Sequence, residues 1–401
     1  MLDPTRLIVS TAGVSVGDAV RQTRRELGML AHAGLDSFEY RAQAVGKLRK
    51  VLPFDASWWW TTDPSSAFFT SGVFDPLPEN HAICGGLHTN EFVEPDYNKF
   101  RVLARRPGQV GVLSAATGGQ PERSNRYQSM LVPLGYEHEL RLALSDGSTC
   151  WGALALLRGS DAPDFSPAEA RALASFAQSL AVGLRIGLVL GAVSIDCTPN
   201  GPGLLILNDD LEILSATSNA ERWLTELHDG SPGLPDAIRS VVSYVRCMRD
   251  SDASQDSMPR ARVRGTSGRW LVIYASSTRA TSTQVANTAV IIEEAKPSEI
   301  APIIVQAYGL SDGEAKITRL ILQGLSTKQI AAELYMSAYT VQDHLKSIFE
   351  RVGVGSRREL VARIFDQYYW PRFGFGEHAP EADGAIAGLH GSRHVLNATP
   401  T

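Results

Sequence analysis

The stretch from Leu310 to Phe365 constrains this chain more than any other, because helix starts are written into it at four places. Ser311 with Glu314, Ser326 with Gln329, and Ser356 with Glu359 fit the capping-box pattern. In that pattern the hydroxyl accepts a backbone N–H and the side chain three residues on reaches back. Ser337 supplies a plain N-cap. Between the caps, apolar residues fall at helical spacing: Ile317, Leu320 and Ile321; Ile330, Ala331 and Leu334; Val341, Leu345, Ile348 and Phe349; Leu360, Ile364 and Phe365. Tyr335, Met336 and Ser337 join the second and third helices, a connection of helix-turn-helix length. If Val341, Leu345 and Ile348 face the bundle, the opposite face shows Gln342, Asp343, Lys346 and Glu350. Its N-terminal half offers donors and an acceptor suited to base edges.

With Leu310, Glu314, Gly324, Ser326, Lys328, Ile330, Ala331, Leu334, Ser337, Thr340, Val341, His344 and Ile348 at fixed spacing, the stretch resembles the LuxR/NarL-type DNA-binding domain. The resemblance implies a four-helix DNA-binding module. The residues expected at DNA are Thr327, Lys328, Ser337, Thr340, Gln342, Asp343, Lys346 and Arg351. There are departures from the family pattern. Gly313, Lys316 and Thr318 predict a weaker first helix, and Gln342 stands where lysine is usual. Gln342 can pair with adenine N6/N7, and Asp343 can accept from cytosine N4. The bland alternative is a solvated helix face on a protein-interaction module.

The 401 residues are 44% hydrophobic and 8% aromatic, enough for two to four cores, and the net charge is −5. A purely electrostatic nucleic-acid binder would be basic, so any DNA affinity belongs to one module. Residues 310–372 hold nine basic and seven acidic side chains. So slight an excess argues for a homodimer on two half-sites of double-stranded DNA. Cys84, Cys150, Cys197 and Cys247 are scattered, without a zinc spacing or disulfide framework. No signal-peptide pattern or long apolar run stands out, so a cytoplasmic protein without membrane contact is expected.

Residues 1–30 read as a lead-in with one helix, residues 17–31, whose Arg21, Arg24 and Arg25 are a solvated face. Residues 31–192 read as helix 38–52 with Ala42, Val45, Leu48 and Leu52 inward, then strands 56–62 and 67–74, and an irregular middle. Strands 127–132, 139–144 and 151–158 and one long helix from Pro167 follow, its start marked by Ser166 and Glu169. This order, with Trp151-Gly152-Ala153-Leu154 in the last strand, resembles a GAF sensor domain. The resemblance implies a ligand enclosed by the sheet and the irregular middle, with Trp58, Trp60, Tyr97 and Tyr127 as liners, and Cys84 and His88 nearby. Core filling is the commoner fate of such aromatics. Cys84 and His88 lack a third ligand at metal spacing, so neither metal nor cofactor is expected.

Residues 200–296 carry strands 203–208 and 212–216, helices 219–227 and 234–248, then strands 260–264, 269–276 and 286–293, an order that resembles a PAS-like domain. Residues 297–309 read as a linker, residues 303–372 as the helix-turn-helix domain, and residues 373–401 as a disordered tail. The expected fold is therefore a multidomain α+β chain: a GAF-like α/β sensor domain, a small PAS-like α+β domain and an all-α four-helix LuxR-type domain. No G-x-S-x-G elbow, P-loop, Rossmann fingerprint or H-E-x-x-H is present, so no catalytic residue is expected. The reading is a one-component transcriptional regulator, with a small-molecule effector and RNA polymerase as further candidate partners. A response-regulator-like or interaction module without a ligand is the alternative.

Overall fold

A computed structural model describes residues 15–78, 82–146, 149–190, 201–228, 233–249, 258–278 and 287–366. The expected tail at 373–401 lies outside these residues. The first unit opens with α1 (Val16–Leu30), capped by Ser15, and α2 (Ser37–Leu48), whose Asp36 cap accepts from Phe38 and Glu39 N–H. Next come β1 (Ala56–Thr62), β2 (Phe69–Asp75), α3 (Ala82–Phe92), α4 (Phe100–Leu103), β3 (Val110–Val112) and α5 (Leu113–Ala116). After a π-helical turn at Tyr127–Leu131 come β4 (His138–Asp146), β5 (Thr149–Arg158), α6 (Pro167–Ala174) and α7 (Ala177–Leu190). The strands form an antiparallel sheet ordered β2-β1-β5-β4-β3.

Strand alternation sorts the tryptophans as their spacing predicts. Trp59 faces α1, α2 and α7 with Tyr40 and Leu180, while Trp58 and Trp60 face α3, α4 and the π turn with Leu87, Leu103 and Met130. Two glycines allow this closeness. A Cβ at Gly152 would lie 2.4 Å from Leu184 and 2.5 Å from the Trp60 carbonyl, and one at Gly183 would enter the Tyr40 ring.

Three expectations change here. Ala42 is exposed, and α2 buries Tyr40, Arg41, Ala44, Val45 and Leu48 instead. Residues 127–132 are helical turns, not a strand. The single helix from Pro167 is two, because α6 ends at Ser175, whose hydroxyl donates to the Ala172 carbonyl.

The second unit contains β6 (Gly203–Leu207), β7 (Ile213–Ala216), α8 (Ser218–Glu226), α9 (Asp236–Arg249), β8 (Arg260–Arg264), β9 (Trp270–Ser277) and β10 (Thr288–Glu294). Its sheet, β7-β6-β10-β9-β8, repeats the order 2-1-5-4-3 of the first. The units interlock across α9, whose Ser240 hydroxyl donates to the Phe69 carbonyl at 3.1 Å. Asp63, buried, accepts from the backbone N, Nε and Nη2 of Arg262 at 2.8, 3.2 and 2.6 Å.

The expected linker is a helix, α10 (Pro297–Ala307), which buries Ile300, Ile303, Ile304 and Ala307. It leads to α11 (Asp312–Leu322), α12 (Thr327–Glu333), α13 (Ala338–Val352) and α14 (Arg357–Asp366). Among the described residues no helix is long and apolar enough to cross a membrane.

Candidate nucleic-acid interface

Capping places the C-terminal helices. Ser311 and Glu314 satisfy each other's backbone N–H at the start of α11, and Ser326 and Gln329 do so at α12. Tyr335 adopts φ +54° in the turn, and the Ser337 hydroxyl accepts from Thr340 N at 3.0 Å to open α13. At α14 the box is looser: Ser356 accepts from Glu359 N, but Glu359 takes its backbone bond from Gly355.

Val341, Leu345, Ile348 and Val352 turn one side of α13 into core. Gln342, Asp343, Lys346 and Glu350 are exposed on the other side. Glu314 ties α11 to α13 from behind, accepting from the Ser347 hydroxyl at 2.6 Å with Arg351 Nε at 3.7 Å. Thr318, expected to weaken α11, is buried and donates to the Glu314 carbonyl at 2.8 Å.

Residues 309–364 match the family model described as "Bacterial regulatory proteins, luxR family". The C-terminal helices are a LuxR-family helix-turn-helix domain. Over 58 residues the chain is 40% identical to the nitrate/nitrite response regulator protein homolog of Haemophilus influenzae, covering 14% of this chain and 28% of that protein. Over 57 residues it is 39% identical to transcriptional regulatory protein UhpA of Escherichia coli, covering 14% and 29%. The matches thus span under a third of either relative. A solved complex of Vibrio cholerae VqmA with ligand and DNA aligns over 43% of this chain and 84% of that one. There the identity is 13% and the TM-score 0.21, too low to bear on function.

Of the residues expected at DNA, Lys328, Thr340, Gln342, Asp343 and Lys346 are exposed along α12 and the outer face of α13, while Thr327 is half-buried. Ser337 is occupied as a cap. Arg351 is exposed but turns away from this face, its Nη1 donating to the Gly309 carbonyl at 2.9 Å. Sequence reasoning passed over Tyr335 and Tyr339, which are 98% and 74% exposed. Tyr339 shares a face with Asp343 and Lys346 by its spacing of four and seven. Its signal was an aromatic out of phase with the apolar stripe.

Trp58, Trp60, Tyr97 and Tyr127 do converge on one side of the first sheet, in a single apolar cluster. Trp58 and Trp60 are fully buried, and Trp60 stacks on Phe69 with centroids 4.8 Å apart. Behind them lies a balanced ionic cluster: Arg126 holds Glu139 at 2.7 Å, and Arg141 reaches Glu139 at 2.8 Å and Glu91 at 2.9 Å. This side is packed as core. His88 lies 3.3 Å from Asp236 of α9, both buried, so it sits at the junction of the two units. The side chain of Cys84 lies outside the described residues. No group of His, Cys, Asp or Glu among the described residues could hold a metal ion.

Proposed function

We propose that the protein is a DNA-binding transcriptional regulator whose N-terminal GAF-like and PAS-like domains control the LuxR-family helix-turn-helix. The observation that carries the reading is α13, apolar on its inner face and presenting Tyr339, Gln342, Asp343 and Lys346 outward. Such a helix fits the major groove, with base edges read from its N-terminal half. The shared 2-1-5-4-3 order of the two antiparallel sheets supports the GAF-like and PAS-like assignments. It speaks against the response-regulator alternative, which needs a doubly wound parallel sheet absent from the described residues.

Binding to a duplex recovered by selection from a random pool tests this reading, followed by anisotropy across a salt series. Affinity is expected to fall linearly on a log–log plot as phosphate contacts are lost. Lys346→Ala is expected to weaken all sequences alike. Gln342→Ala and Asp343→Ala should each relax one base preference, at a cost of about 1–3 kcal/mol. Absent or salt-independent binding would leave only the interaction-module reading.

A further inference from the structure

A cleft of about 1030 Å³ opens between the first and second units, bordering the packed tryptophan side through Phe69 and Phe100. One wall is aromatic: Phe68 meets Phe92 and Tyr244 edge to face, with centroids 5.2 and 5.4 Å apart. Its rim is basic, with Arg101 on α4 and Arg105 just after it exposed, and Arg260, 55% exposed and 3.5 Å from Glu299, at the start of β8. The acids lining the cleft are already engaged. Asp63 holds Arg262, and Glu91 accepts from Arg141 at 2.9 Å. An apolar wall beneath a basic rim with its acids engaged selects a molecule with a flat apolar body and a negative end.

We infer that this cleft binds a small amphipathic organic anion, an aromatic carboxylate or its like, with its ring on Phe92 and Tyr244 and its anionic group at Arg101 and Arg105. The volume is at the upper end of ligand sites, which run to roughly 1,000 Å³. The cleft also borders a junction. Arg262, paired with Asp63 at its base, donates through Nη1 to the Glu299 carbonyl of α10 at 3.0 Å, and α10 packs on the helix-turn-helix. An occupant therefore touches the ion pair that joins both units to the helix leading into the DNA-binding domain. That effector role rests on the regulator reading; the binding site does not. A ligand shifts the DNA-binding state only by its differential affinity for the two arrangements.

The test is calorimetry on the intact protein with 1-naphthoate and its neutral counterpart 1-naphthalenemethanol. Saturable binding of naphthoate is expected, about tenfold tighter than the alcohol, which is the scale of a charge-assisted hydrogen bond. The exposed double substitution Arg101→Glu with Arg105→Glu should erase that preference while leaving the alcohol's affinity unchanged. Ala104→Trp, which fills the cleft, should abolish both. Equal affinity for the two probes, no binding of either, or full binding by Ala104→Trp would each overturn the site. A second arm measures affinity for the selected duplex with and without saturating naphthoate. A change is expected. If naphthoate binds but DNA affinity stays fixed, the effector role is overturned and the site stands. If the protein binds no DNA, the regulator reading falls and the calorimetry alone decides the cleft.

Discussion

Glu314 shows how much one carboxylate does in a small domain. It caps α11 and accepts the Ser347 hydroxyl of α13, fixing two helices whose residues are far apart in sequence. Burial alone would raise its pKa. The bonds from Ser347 and Ser311 and the charge of Arg351 outweigh that and hold the carboxyl below the ordinary glutamate value of 4.5. A folded-state pKa below the unfolded one means stability that is present above about 4.5 and lost as pH falls through the lower folded value. Glu314→Gln is therefore expected to lower the melting temperature near neutral pH, by an amount typical of a lost cap at about 1 kcal/mol. The gap from the unmodified protein should narrow in acid, as thermal unfolding followed by circular dichroism would show. A gap constant across pH would mean that the amide keeps every contact that matters. The cap was legible from Ser311 and Glu314 alone. Ser347 as its partner was not, because that contact exists only once α13 packs on α11. The same holds for Arg351, whose exposed guanidinium suggests DNA until Gly309 is seen beneath it.

At the scale of elements, periodicity succeeded where a segment is amphipathic and failed where neighbours decide. Strand 56–62 and strand 260–264 stand where alternation put them. The π turn at Tyr127–Leu131 misled because Tyr127, Met130 and Leu131 imitate a buried strand while packing as a turn against α3. Helix α10 stands where a linker was expected, with Pro302 inside it. Yet Pro297 at its start and Ile300, Ile303, Ile304 and Ala307 at helical spacing carried the opposite signal. The contacts between units were invisible beforehand, Asp63 and Arg262 lying 199 residues apart. Asp63→Ala would leave a guanidinium, only 5% exposed, without its carboxylate. The expected loss is about 3–5 kcal/mol of stability by denaturant unfolding, the cost of orphaning one member of a buried pair. A loss under about 1 kcal/mol, the scale of an exposed pair, would show that the junction is wet and held by apolar packing instead.

At the scale of the whole molecule, the helix-turn-helix is docked on the first unit with the outer face of α13 left exposed. One apolar cluster runs from Trp59 and Leu180 through Ile303 to Ile317 and Ile364. Arg185 of α7, in contact with Asp146, packs against Gly309 at the start of the domain, where φ is +67° and a Cβ would lie 2.8 Å from the guanidinium. Gln342, Asp343 and Lys346 nonetheless face solvent. Among the described residues none occludes this face of α13, so under the proposed regulator reading control would act on how two copies are spaced. Charge points the same way, since nine basic against seven acidic residues give a single module little hold on phosphate. A duplex carrying two half-sites about 10 base pairs apart is expected to bind far more tightly than one carrying a single half-site. The dependence on protein concentration should be steeper, and the salt slope about twice as large because twice as many phosphates are neutralised. Titration by anisotropy at several salt concentrations measures all three. Equal affinity and equal slope on both duplexes would mean that one copy suffices and would sink the two-copy reading.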